Sequence, residues 1–119
     1  MEPIYNQKGL TVGWLKEGVI YNIDGTPCAF IRNDNIFNYE GEYLARIDRG
    51  FFRDIDGDAV AFMRGASGGP IPPIPEVAPI PPIPAIPPIP PIPAVPPVSP
   101  IYSLNWSSIS WEEFLKGGF

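Results

Sequence analysis

Histidine is absent from the 119-residue chain, and cysteine occurs once. Without histidine the commonest general base is missing, and so is the usual activator of a serine or cysteine nucleophile. A lone cysteine excludes an intramolecular disulfide framework and leaves the redox compartment open. Positive charge is scarce as well: eight Lys and Arg stand against thirteen Asp and Glu, a net charge of −5. Nucleic-acid binders carry a basic stripe and anionic membranes attract basic segments, so neither partner is expected. No window approaches 18 apolar non-proline residues, so no transmembrane span is expected. Met1-Glu2-Pro3-Ile4-Tyr5 lacks the positive n-region and apolar run of a secretory signal, which makes a cytoplasmic location the default expectation.

Proline is plentiful and unevenly placed. Sixteen of the 18 prolines fall between Pro70 and Pro100, leaving about 66 residues for a globular part. Domains of that size bury only ~60% of their unfolded surface and are marginal unless something helps.

The first 67 residues are a four-fold repeat. Ile4-Tyr5-Asn6-Gln7-Lys8-Gly9 recurs as Ile20-Tyr21-Asn22-Ile23-Asp24-Gly25, as Ile36-Phe37-Asn38-Tyr39-Glu40-Gly41 and as Phe52-Arg53-Asp54-Ile55-Asp56-Gly57, at a spacing of 16 residues. Four residues after each glycine sits a tiny side chain: Gly13, Ala29, Ala45 and Ala61. Leu15, Ile31, Ile47 and Met63 follow two positions later. Each copy predicts a β-hairpin, because two short runs of aromatic and branched residues flank a turn. The turn glycines Gly9, Gly25, Gly41 and Gly57 supply the left-handed residue that such turns need. Lys16-Glu17-Gly18, Arg32-Asn33-Asp34 and Asp48-Arg49-Gly50 are second turns. The whole predicts an all-β meander of eight short antiparallel strands around a pseudo-four-fold axis. Strand alternation places Val12, Cys28, Leu44 and Val60 on one face with Trp14, Phe30, Arg46 and Phe62.

The Tyr/Phe-Asn-x-Asp/Glu-Gly-x-x-x-Ala-Phe pattern of residues 4–66 resembles the four-fold β-flower family, in which four hairpin petals surround a central axis. The resemblance implies that fold and carries over no catalytic residues.

Candidate sites are few. Asp54-Ile55-Asp56-Gly57-Asp58 has the opening of a calcium loop. Its acids fall, however, at turn positions that Asn22, Asp24 and Thr26 hold in the second copy, and the closing glutamate of an EF-hand is absent. Asx side chains bonding the turn backbone explain it better. Cys28 takes the place of Val12, Leu44 and Val60 and reads as a small buried hydrophobe. No catalytic residue, metal site or cofactor is expected. Tyr5, Tyr21, Phe37, Trp14, Phe30 and Phe62 are petal or core aromatics, with ligand stacking as the alternative. Arg46 and Arg53 replace aromatics in their columns, and such breaks in symmetry mark surfaces that meet something else.

Arg64-Gly65-Ala66-Ser67-Gly68-Gly69 predicts a flexible joint, with residues 67–69 dividing the 1–66 domain from the tail. Beyond it the prolines of 70–101 dictate a polyproline II rod, because the ring fixes φ and pushes the preceding residue to extended angles. Every third residue there is aliphatic: Ile71, Ile74, Val77, Ile80, Ile83, Ile86, Ile89, Ile92, Val95, Val98 and Ile101. Polyproline II turns once in three residues, so all eleven share one edge. In residues 102–119, Ser110 to Gly118 predicts a short helix with capping-box spacing. It is too short to stand alone, so Trp106, Trp111, Phe114 and Leu115 form an anchor that needs a surface.

Three uses of the rod compete. A recognition ligand for aromatic grooves lacks the flanking cation, since residues 68–115 contain neither Arg nor Lys. A plain spacer of roughly 90 Å has no need of the stripe. The register is explained if the stripe is buried, against another copy's rod or against the chain's own petals. The expected function is therefore non-enzymatic: a hub whose rod and anchor join copies of itself into an oligomer or filament. A protein partner for the rod, and a small-molecule or glycan binder using the petal aromatics, are the alternatives.

Overall fold

The computed structural model describes residues 1–117. Eight strands follow in order: β1 (Glu2–Asn6), β2 (Thr11–Lys16), β3 (Val19–Asn22), β4 (Pro27–Arg32), β5 (Asn35–Asn38), β6 (Tyr43–Asp48), β7 (Phe51–Arg53) and β8 (Ala59–Met63). Each pairs antiparallel with its neighbours, and β1 closes on β8 to make a barrel. Closure removes the sheet edges that would otherwise template association. Among the described residues no helix is long and apolar enough to cross a membrane.

The two ends of the barrel are built differently. At one end β2–β3, β4–β5 and β6–β7 turn tightly through Glu17-Gly18, Asn33-Asp34 and Arg49-Gly50, each residue at positive φ. Two consecutive left-handed residues make the turn whose twist matches a hairpin. At the other end the petal tips are wider. Asn6, Asn22, Asn38 and Asp54 each use one side-chain oxygen to accept two backbone N–H groups of their own turn. The glycines Gly9, Gly25, Gly41 and Gly57 then take φ between 79° and 92°. The Asp54–Asp58 stretch is thus a fourth Asx turn, built like the other three.

A bulge recurs in every petal, between Ile4 and Tyr5, Ile20 and Tyr21, Ile36 and Phe37, and Phe52 and Arg53. Its extra residue is Val12, Cys28, Leu44 or an equivalent, and this corrects the expected alternation. Val12, Leu44 and Val60 pack in the inner cluster with Ile4, Ile20, Ile36 and Phe52, whereas Phe62 packs with Tyr5 in another. One inserted residue per petal turns these side chains away from the aromatic face.

The inner cluster includes Ala29, Ala45 and Ala61, with Leu15, Ile31, Ile47 and Met63. The small residues leave room for a plug. The helix α1 (Trp111–Leu115) caps the wide end, and its Trp111 and Phe114 are buried in the cluster. Trp111 stacks on Phe114 and meets Phe52 edge-on, with centroids 5.6 and 5.2 Å away. Ser110 accepts from the Glu113 N–H while the Glu113 carboxylate accepts from the Ser110 N–H, a complete capping box. Of the expected helix, Gly118 lies outside the described residues.

Candidate functional surface

Between the barrel and its plug, residues 70–101 carry neither helix nor strand. They wind around the wide end as a belt, meeting the four petals in order. Glu76 N–H donates to Gly9 O, Ala85 to Gly25, Ala94 to Gly41 and Ser103 to Gly57, at 2.9–3.1 Å. These donors are nine residues apart. Proline has no N–H, so each place where the belt must bond a petal carries another residue. That nine-residue period is present in the sequence, and the denser three-residue period hides it. Glycine is required opposite for a second reason. A Cβ on Gly9, Gly25, Gly41 or Gly57 would run into the carbonyl of Ile74, Ile83, Ile92 or Ile101.

The belt's beginning and end are fastened at one point. Where neighbouring petals meet, Tyr5 pairs with Phe62, Trp14 with Tyr21 and Phe30 with Phe37, but the fourth junction pairs Arg46 with Arg53. Arg53 is fully buried. Its Nη1 donates to Gly57 O at 2.9 Å and Ser103 O at 2.6 Å, and its Nη2 donates to Gly68 O at 3.0 Å. Gly68 precedes the belt and Ser103 follows it. The guanidinium lies 5.2 Å from the Phe51 ring and 5.1 Å from Tyr102, an arrangement that a planar, delocalised cation suits. Burial lowers its pKa from the ordinary arginine value, while the carbonyls and rings compensate the charge. Arg46 avoids its neighbour by turning its Nε to Asn35 Oδ1 at 2.9 Å. The broken symmetry thus marks where the ring is clasped.

Several expectations need correcting here. The 64–69 joint is tied down, with Ser67 N–H donating to Arg49 O and Gly68 O held by Arg53. The petal aromatics Tyr5, Trp14, Tyr21, Phe30, Phe37 and Phe62 are at most 4% exposed and offer no open stacking platform. The C-terminal anchor finds its surface within its own chain: Trp111 and Phe114 in the core, Leu115 against it, and Trp106 beside Phe51 and Phe62. Asn105 and Ser107 also bond the Ala59 backbone, and Ser107 Oγ donates to Asp54 Oδ2. The anchor is therefore spent in cis and is not free to join copies.

The stripe is not buried against the petals either. Ile71, Ile74, Val77, Ile80, Ile83, Ile86, Ile89, Ile92, Val95, Val98 and Ile101 are 91–96% exposed. Prolines of the intervening positions, such as Pro75, Pro84 and Pro93, are the partly covered residues. The belt grips with its N–H groups and prolines and turns its aliphatics outward. Among the described residues no group of three or more Cys, Asp or Glu is placed to hold a metal ion. Cys28 is half-buried, and burial pushes its thiol pKa up, away from reactive thiolate.

The family model of the 4-fold beta flower protein matches residues 2–115. The match takes in the belt and the plug together with the petals. No curated protein and no solved structure matches the chain.

Proposed function

The chain belongs to the 4-fold beta flower family, and from that footing we propose that it is a non-enzymatic assembly protein whose outward stripe joins it to further copies of itself. The exposure of all eleven aliphatics on a belt fastened by its other edge is the observation that carries this reading.

Polyproline II geometry explains why the stripe stays outside at every petal. Nine residues are three turns and span ~28 Å, so each step from one donor to the next restores the same orientation. The inner edge meets each petal in the same way, and the aliphatic edge never rotates inward. The belt is electrically bare: Glu76 is its one charged residue, and Glu76 Oε1 accepts from Thr11 N–H at 2.8 Å.

Magnitudes favour covering the stripe. At ~1.5–3 kcal/mol per aliphatic side chain and ~25 cal/mol per Å², each offers about 60–120 Å², and the ring on the order of 1,000 Å². The largest apolar patch on a typical monomer is about 300–600 Å². A contact burying three aliphatics from each of two copies would gain about 9–18 kcal/mol, against roughly 4–15 kcal/mol for association. The gain is of the same order as the cost, so assembly depends steeply on concentration and on each isoleucine. Light scattering coupled to size-exclusion chromatography tests the reading, with mass expected to rise above 13.1 kDa as concentration increases. A strict monomer at high concentration would sink it.

A further inference from the structure

The wide end of the barrel differs from the narrow end in charge as well as shape. Of thirteen acids, six lie on petal tips two to four, Glu76 lies on the belt, and Glu112 and Glu113 lie on α1. The exposed cations there are Lys8 and Lys116. At the narrow end Lys16, Arg32, Arg49 and Arg64 balance Glu2, Glu17, Asp34 and Asp48. Nearly all the excess negative charge therefore sits on the face that carries the plug.

That face also contains an open apolar groove. A single helix cannot fill a cup with four similar walls, and α1 leans its Trp111 towards Phe52. The side beside petals one and two is left open as a groove of about 330 Å³. Val12, Ile23, Cys28, Trp111 and Leu115 line it, with Glu112 and Lys116 as its charged residues. A second cleft of about 360 Å³ continues past Cys28 and Leu115 to Tyr39, Glu40 and Glu42. Ile23 is left 46% exposed at the mouth.

We propose that this groove docks a basic segment of a partner protein, one apolar side chain entering between Ile23 and Leu115 while flanking Lys or Arg side chains meet Glu40, Glu42 and Glu112. Charge complementarity selects this occupant over a second copy, whose own wide end is equally acidic and whose narrow end exposes no large hydrophobic residue. The same charge repels anionic lipid and nucleic acid. The two observations are independent: the groove follows from how the plug packs, the charge from the turn residues. This docking does not depend on the stripe.

The probe is a fluorescein-labelled dodecapeptide with one central leucine flanked by lysines on a Gly/Ser background, with a glutamate version as control. Titrated by anisotropy at physiological salt against the full chain, the lysine peptide should saturate at one per chain and the glutamate peptide should not bind. Glu40→Lys with Glu112→Lys should weaken the lysine peptide at least tenfold, since neither side chain supports the fold through a hydrogen bond. Glu2→Lys with Glu17→Lys changes net charge equally at the narrow end and should alter binding less than twofold. Ile23→Ser should weaken it severalfold at unchanged charge. No saturable binding, or equal losses in the two charge-reversed variants, would overturn the proposal.

Discussion

The two edges of the belt are made by the same 32 residues and meet opposite fates. The inner edge is held by three N–H groups at a nine-residue interval, which Ser103 continues just past it, by prolines, and by Arg53 at both ends. The side chains of the outer edge, at a three-residue interval, are 91–96% exposed. Nine is a multiple of three, so one conformation serves both. The difference separates two jobs: the inner edge completes the fold of a small barrel, and the outer edge, in the function proposed above, is left for association.

Removing the belt altogether should have the largest effect. A chain ending at residue 67 loses the plug from the core and the cover from the tips, and a domain of that size is marginal without them. Its unfolding should lose cooperativity and its near-ultraviolet circular dichroism should collapse. A sharp thermal transition in the truncated chain would show that the belt is an accessory.

Next comes the clasp. Arg53→Leu keeps an apolar body but leaves the carbonyls of Gly68 and Ser103 without their donor and takes from Gly57 O one of its two, the Ser103 N–H remaining. Buried groups stripped of a partner cost ~1–3 kcal/mol each and are not additive, so a loss of about 3 kcal/mol is expected in chemical denaturation. Because one residue fastens both ends, protease sensitivity should appear near residue 68 and near residue 103 together.

A smaller effect separates two alanines of the belt. Ala85→Pro deletes the N–H that reaches Gly25 O and should cost about 1 kcal/mol. Ala78→Pro removes an N–H that bonds no petal tip and should stay within ~0.5 kcal/mol. Equal costs would mean that the nine-residue bonds do not hold the belt.

The petals were legible because every copy repeats the same turn chemistry at the same interval. Asn6, Asn22, Asn38 and Asp54 act alike, and the comparison of copies distinguished an Asx turn from a calcium loop. The bulge at Val12 was not legible, since strict alternation is what a run of strand-forming residues suggests. The path of the belt was hidden for a different reason. Glu76, Ala85 and Ala94 look like interruptions of a proline run, and their meaning lies in an N–H that only the opposing glycine carbonyl reveals. Arg53 gave a partial signal: its place in an aromatic column showed that something differs there, but its three acceptors come from residues 57, 68 and 103, which only the closed ring brings together.

The outer edge should show the smallest effect on folding and the clearest effect on assembly. Ile86→Ser with Ile89→Ser alters two side chains that are 93% exposed, so the free energy of unfolding should change by less than ~0.5 kcal/mol per site. Sedimentation velocity of this variant beside the unaltered chain, across a hundredfold range of concentration, tests the central claim most directly. The unaltered chain should sediment as a growing species and the variant as a 13.1 kDa monomer. Identical sedimentation of the two, whether both monomeric or both assembled, would contradict it.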